Sequence, residues 1–150
     1  MIHAGVQVRS ATDDDLPAIN EIYNHYVQDS HVTFDLEPST LESRRDWFRH
    51  YADRGPHRVF VAVDDGQVIG YATSSEFKSR PGYATSVETS VYVAPEHTGK
   101  GTGALLYDKI FDALKGQDLH RAYAGIALPN PESIALHERF GFKRVGVFTE

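Results

Sequence analysis

Cysteine is absent from all 150 residues. That excludes a disulfide scaffold, a thiolate metal site and a cysteine nucleophile together, and it fits a reducing compartment. Positive charge is in short supply: 15 Lys and Arg stand against 21 Asp and Glu, a formal net charge of −6, and the basic residues are scattered. A nucleic-acid partner is therefore not expected, because phosphate backbones demand clustered cations. No apolar run approaches a membrane span, and Met1-Ile2-His3-Ala4-Gly5 has neither the basic flank nor the apolar core of a signal peptide. A cytoplasmic protein without membrane contact is the expectation. His3, His25, His31, His50, His57, His97, His120 and His137 show no ligand spacing such as His-x-x-x-His, so no metal is expected. There is no linker, internal repeat or low-complexity tract to mark a second domain. Residues 1–150 read as one soluble domain, with 41% hydrophobic and 24% charged residues and enough chain for a single core without staples.

What is present is a glycine-dense turn between a strand and a helix. The β-branched run Val87-Glu88-Thr89-Ser90-Val91-Tyr92-Val93 breaks at Ala94-Pro95 and leads into Gly99-Lys100-Gly101-Thr102-Gly103-Ala104, which opens a helical pattern. Glycines let bare backbone N–H groups approach an anion, and the first helical turn aims unpaired donors and its positive dipole end at the same place. A phosphate site is one reading, and a tight strand-to-helix turn is the other. A Walker loop does not fit, since Ala94-Pro95 stands where its first glycine belongs and Gly101 follows the lysine where a Ser or Thr is needed. A dinucleotide fingerprint is formally met by Gly99, Gly101 and Ala104. It lacks the acidic residue that should end the next strand, where Pro129-Asn130-Pro131 stands instead, and too little chain follows for a nucleotide-binding half.

Period changes place the other elements. Val6 and Val8 alternate in a short first strand; Thr12, with three aspartates and Pro17 behind it, starts a helix through Leu16, Ile19, Ile22, Tyr23 and Tyr26. Ser39 and Glu42 predict a capping box for a second helix running through Trp47 to Tyr51. Strands Arg58–Val63 and Gln67–Thr73 flank Asp65-Gly66, a favoured hairpin turn. Strand Thr85–Val93 follows, then helix Gly101–Leu114 with Leu106, Ile110, Ala113 and Leu114 on one stripe. Arg121–Leu128 reads as a strand, Glu132–Phe140 as a short helix and Phe142–Phe148 as a last strand. The order β-α-α-β-β-β-α-β-α-β implies a mixed sheet with helices on both faces.

The stretch from Glu88 to Ala104, then Leu128-Pro129-Asn130 and Ser133-Ile134-Ala135-Leu136-His137-Glu138-Arg139-Phe140-Gly141-Phe142, resembles the GNAT superfamily of acetyl-CoA-dependent N-acetyltransferases. The phosphinothricin N-acetyltransferase-like branch is the nearest likeness. It shares an early helix like 16–24 and stretches like Thr33-Phe34-Asp35-Leu36-Glu37-Pro38 and Lys78-Ser79-Arg80-Pro81-Gly82-Tyr83, so the resemblance spans nearly the whole chain. It implies a single-domain α/β fold with a mixed, mostly antiparallel twisted sheet. It also implies a further strand beyond 142–148 that walls the acceptor site; because the sequence stops at Thr149-Glu150, that C-terminal strand is expected to be missing, through truncation or with a partner chain covering the edge.

Site roles follow from the resemblance. The family's diphosphate signature, (Arg or Gln)-x-x-Gly-x-(Gly or Ala), aligns with Thr98, Gly101 and Gly103; Thr98 departs from it, and Lys100 is a nearby compensating charge. Gly99 through Ala104 would hold the diphosphate of acetyl-CoA by backbone amides. The segment Val91-Tyr92-Val93 would pair with the pantetheine arm as a pseudo-strand, and Asn130 would contact the arm from the next strand's end. Asn130 is equally suited to cap a helix or make a turn. Glu88 matches the branch's catalytic glutamate, the base that takes a proton from the amine; as an isolated residue it would be a solvated or ion-paired strand position. His137 stands where many members carry a tyrosine on the short helix, and it is either the acid for the departing thiolate or a packing residue. Tyr107 is its rival for that role. Phe34, Lys78, Arg80 and Tyr83 would select a small amino acid with a second polar or anionic group, of the phosphinothricin, methionine sulfoximine or methionine sulfone type; a loop of that composition can also be merely solvated. A homodimer is implied as well. A protein or peptide N-acetyltransferase and a non-catalytic acyl-CoA sensor are the alternatives.

Overall fold

The computed structural model describes residues 5–29, 39–76, 86–117, 119, 121–124 and 131–143. Strand β1 (Val6–Ser10) leads to a 3-10 turn at Asp13–Asp15 and helix α1 (Leu16–Asp29), followed by α2 (Leu41–Phe48). Strands β2 (Arg58–Asp64), β3 (Gln67–Glu76) and β4 (Ser86–Val93) come next, then α3 (Thr102–Leu114), β5 (Arg121–Tyr123) and α4 (Pro131–Arg139). The five strands form one sheet in sequence order, antiparallel from β1 to β4, with β5 parallel to β4 through Ser86↔Arg121, Val87↔Ala122 and Glu88↔Tyr123. This is the mixed sheet that the element order implies, and it is mostly antiparallel as the family resemblance implies. The expected strand over 121–128 is described only to Tyr123, with 125–128 outside the described residues. Phe142 and Lys143 are described and lie outside any strand; the rest of that expected strand, 144–148, is not among the described residues.

Alternation along the strands sends side chains to two cores. On one face Val59, Val61 and Tyr71 meet Leu16, Ile19 and Ile22 of α1, with Trp47 and Phe48 of α2 packed against them. On the other, Phe60, Ala62, Ile69 and Ala72 meet Leu106, Tyr107 and Ile110 of α3, with Leu136 of α4 and Phe140 beside them. Close approach is enforced at Gly70, where a Cβ would stand 3.0 Å from the Tyr92 carbonyl and 3.2 Å from Leu106 Cδ1, so α3 sits directly on the centre of the sheet. The β2–β3 hairpin forms because Asp65 (φ 52°) and Gly66 (φ 78°) both adopt the left-handed region that a two-residue turn requires.

Helix starts are set by side chains. The Asp15 carboxylate accepts from the Thr12 N–H at 2.8 Å and from the Arg9 guanidinium at 2.8 and 3.0 Å, tying β1 to the head of α1. Burial pushes the Asp15 pKa up, but the hydrogen bonds from Arg9 and Thr12 outweigh it and the net shift is downward. The capping box expected from Ser39 and Glu42 does not form. Thr40 caps α2 instead, its side chain accepting from the Ser43 N–H at 3.0 Å, and the helix ends at Phe48 rather than Tyr51. Ser39 is engaged elsewhere: its carbonyl accepts from Asn20 and Asn24 Nδ2, each at 2.8 Å, and its N–H donates to Asn24 Oδ1. Those bonds lash the start of α2 to α1. The Arg44 guanidinium lies over the Tyr23 and Trp47 rings, 4.7 and 4.5 Å from their centroids, and completes the junction.

Candidate active site

The backbone ladder of β4 defines a groove. Gly70 pairs with Val93 and Tyr71 with Tyr92, and the Ala94 N–H donates to the Ile69 carbonyl at 2.8 Å. In an antiparallel ladder, residues that exchange hydrogen bonds alternate with residues that turn their polar groups away from that partner. Counting from Ile69 and Ala94, the amides and carbonyls of Tyr92, Ser90 and Glu88 point inward to β3, while those of Val87, Thr89, Val91 and Val93 point to the opposite edge. At Val87 that edge is filled by β5. Among the described residues no strand continues beside Thr89–Val93. Among the described residues the outward backbone groups of Val91 and Val93 thus have no strand partner, the arrangement that a pseudo-strand ligand requires. Tyr92 turns its backbone to Tyr71 and its ring to the α1 side, where it meets Tyr23, Tyr26 and Tyr71 at centroid distances of 5.4 to 5.7 Å.

At the end of this edge lies the glycine turn. Pro95–His97 form a 3-10 turn, Gly99 has φ 76°, and Gly101, at φ 83°, is the N-cap of α3. The Leu105 N–H donates to the Gly101 carbonyl at 3.1 Å and is the first intrahelical bond. The N–H groups of Thr102, Gly103 and Ala104 precede it and, among the described residues, have no acceptor. Gly103 is needed for packing too, since a Cβ there would stand 3.1 Å from Leu136 Cδ2 of α4. Thr98, the departure from the family signature, turns its hydroxyl back to the Pro95 carbonyl at 3.1 Å, so it braces the turn. Lys100 is exposed beside it.

Glu88 lies on β4 where β5 pairing ends, opposite Ser75 and Tyr123. Its side chain is exposed and, by alternation, projects to the α1/α2 side with those of Ser90 and Tyr92. On the same side Thr73 and Ser90 share a hydroxyl–hydroxyl bond of 2.6 Å. The Tyr51 hydroxyl joins them: burial raises its pKa, and hydrogen bonds with Ser75 and Thr73 partly offset that rise. This hydroxyl cluster beside the carboxylate has no local sequence signal, because its members come from β3, β4 and the segment after α2.

His137 and Tyr107, rivals in the sequence, are partners in the structure. His137 Nε2 and the Tyr107 hydroxyl are 2.7 Å apart, and that hydroxyl donates to Thr89 Oγ1 at 3.3 Å. The Tyr107 hydroxyl thus bridges the His137 ring and Thr89. His137 is 5% exposed and Tyr107 0%, and the two rings meet edge to face, with Phe142 against both. Burial raises the Tyr107 pKa far above that of an ordinary phenol, so it stays protonated. Phe34, Lys78, Arg80, Tyr83 and Asn130 lie outside the described residues. Among the described residues there is no group of three His, Cys, Asp or Glu placed to hold a metal ion, and no helix is long and apolar enough to cross a membrane.

Comparison with known proteins bears on the family and the fold. The model of the acetyltransferase (GNAT) domain matches residues 8–150. A phosphinothricin N-acetyltransferase of Streptomyces coelicolor is 53% identical over 149 residues, 98% of this chain and 87% of that protein. An L-methionine sulfoximine/L-methionine sulfone acetyltransferase of Pseudomonas paraeruginosa is 36% identical, covering 93% of this chain and 81% of that one. The crystal structure of a GNAT superfamily phosphinothricin acetyltransferase from Sinorhizobium meliloti in complex with acetyl-CoA superposes with a TM-score of 0.89 at 33% identity, over 95% of this chain and 77% of that one. With the family match running from β1 to the last residue and the fold shared with a solved member, this chain belongs to the GNAT family of acetyltransferases.

Proposed function

We propose that this protein is a single-domain N-acetyltransferase, residues 1–150, that moves the acetyl group of acetyl-CoA to the amine of a small amino-acid-like substrate. The observation that carries this reading is a β4 edge whose outward groups at Val91 and Val93 have no strand partner among the described residues, combined with a glycine-capped helix start and an exposed carboxylate on the same strand. Acetyl-CoA fits the residues present: Thr102, Gly103 and Ala104 offer unpaired N–H groups to a diphosphate, and Val91 and Val93 offer a peptide-like edge to the amides of the arm. When bound, it supplies an acyl thioester activated toward attack.

The residues then divide the work. Glu88 accepts a proton from the substrate ammonium, directly or through one water, and so frees the nitrogen lone pair. The outward N–H of Val91 lies along the edge where negative charge develops on the acyl oxygen. The second proton lost by the nitrogen ends on the thiolate released as the C–S bond breaks, and His137, held through Nε2 by Tyr107, is the group that hands it over. Phe34, Lys78, Arg80 and Tyr83 select the acceptor, and Asn130 contacts the arm. The names of the relatives, together with two cations and two aromatics in that set, support a phosphinothricin, methionine sulfoximine or methionine sulfone type of amine. No metal takes part. The absence of cysteine supports a cytoplasmic location and the acidic net charge argues against a nucleic-acid partner, while a homodimer without membrane contact is what the family resemblance implies.

A panel of amines assayed for CoA release tests the assignment. Free amino acids with a second polar or anionic group should give the highest kcat/KM. Acetylation of peptide amines with little response to free amino acids would indicate a peptide acetyltransferase, and no release above background with any amine would leave only an acyl-CoA sensor.

Tyr107→Phe checks the role given to His137. Removing the hydroxyl leaves Nε2 and Thr89 without their shared partner in a buried site, which should lower stability by about 1–3 kcal/mol. If the pair also holds the catalytic proton, kcat should fall roughly tenfold and the pH–rate profile should shift, since one lost hydrogen bond to a catalytic group costs about that much. A change in melting temperature with an unmoved pH profile would make the pair a packing feature.

A further inference from the structure

The outer edge of β4 ends on a carbonyl that a distant tyrosine holds. Tyr26, on the last turns of α1, donates its hydroxyl to the carbonyl oxygen of Val93. Sixty-seven residues separate the two, so only the fold brings them together. Three features make the contact more than a surface bond. First, by the register of β3 and β4 the Val93 carbonyl is among those turned away from β3, at the edge that would receive the pantetheine arm. Second, Val93 is the last residue of its strand; the Ala94 N–H is committed inward to Ile69 and Pro95 has no N–H, so the ladder cannot orient this carbonyl from beyond. Third, the Tyr26 ring is itself fixed, 5.7 Å from Tyr92 and 5.0 Å from His25.

We propose that Tyr26 is a positioning residue for the acyl donor: it sets the Val93 carbonyl in the orientation that an amide N–H of the pantetheine arm needs. A carbonyl oxygen has two lone pairs, so it accepts from Tyr26 and from a ligand amide together. The hydroxyl thus polarises and aims the acceptor without competing for it. The same ring leans on Tyr92, whose backbone lies one residue nearer to Glu88, so one side chain fixes the last two residues of the strand against α1.

This inference rests on the acetyl-CoA reading above, and its test separates the two. Tyr26→Phe keeps the ring and removes only the hydroxyl. Calorimetry should compare wild type and variant with two ligands, acetyl-CoA and adenosine 3′,5′-bisphosphate, which carries no arm. The variant's Kd for acetyl-CoA should rise about three- to tenfold, the range of one net hydrogen bond, while its Kd for the nucleotide stays within twofold. In steady state the change should appear in KM for acetyl-CoA, with kcat changed less than twofold. Equal weakening of both ligands would mean that Tyr26 only supports the fold. Unchanged acetyl-CoA binding would remove the proposed role, and tighter binding would show that the hydroxyl competes with the arm. If wild type binds neither ligand, the acetyl-CoA reading falls and this inference with it; if wild type binds and only the variant comparison fails, the inference falls alone.

Discussion

Glu88→Gln should lower kcat by about 100-fold or more while leaving the Kd for acetyl-CoA within twofold. The magnitude is that of a positioned general base, which contributes about 10²- to 10⁴-fold. The separation between turnover and donor binding comes from the ladder. Glu88 turns its backbone to Ser75 and its side chain to the α1/α2 side, whereas the donor edge is formed by the outward groups of Val91 and Val93. Exchanging the carboxylate for an amide of the same shape changes one acceptor on the acceptor side of the strand and none of the groups at that edge. Stopped-assay turnover at saturating acetyl-CoA, with calorimetric binding on the same preparations, checks both halves. Turnover within twofold of wild type would make Glu88 a solvated strand residue and place the base elsewhere.

Gly101→Val should weaken acetyl-CoA binding by about 10- to 100-fold. The N-cap of α3 sits at φ 83°, and a β-branched residue in that region is strained by about 1–3 kcal/mol. The turn relieves the strain by moving Gly101 toward negative φ, which rotates the peptide plane ahead of Thr102 and turns the unpaired N–H groups of 102–104 off their common target. Tenfold in affinity corresponds to about 1.4 kcal/mol, so the loss expected is comparable to the strain that caused it. A thermal melt belongs beside the titration, because a moderate drop in melting temperature is consistent with the same strain and a collapse is not. Wild-type affinity in the valine variant would reduce the glycines to a tight turn between strand and helix.

The parts of the fold that the sequence announces are those set by local chemistry. Asp65-Gly66 fixes its hairpin because both residues take positive φ without help from elsewhere. The stripe Leu106, Ile110, Ala113 and Leu114 marks α3, and the glycine run before it marks the helix start, because each depends on residues within one or two turns. The cap of α2 fails for the opposite reason. Ser39 and Thr40 are both good N-cap residues, and the choice falls to Thr40 because Asn20 and Asn24 of α1 hold the backbone of Ser39.

The site follows the same division. The strand, the glycine turn and the carboxylate are contiguous and can be read directly. The pairing of His137 with Tyr107 spans thirty residues and turns two candidates for one task into a single unit, which no spacing in the sequence suggests. Tyr51, Thr73, Ser75 and Ser90 are individually unremarkable polar residues; they become neighbours of Glu88 only when β3 registers against β4 and the chain after α2 folds back over them. The inward turn of Tyr92's backbone is likewise a matter of register, since a run such as Val91-Tyr92-Val93 does not reveal which of its residues face the partner strand.

The most direct test of the account is a calorimetric titration of the wild-type protein with acetyl-CoA, run against a nicotinamide dinucleotide as control. Saturable binding of acetyl-CoA at one site per chain, with no binding of the dinucleotide, is the result expected. Binding of the dinucleotide without acetyl-CoA, or of neither, would contradict the claim that the β4 edge and the glycine-capped helix hold an acyl donor.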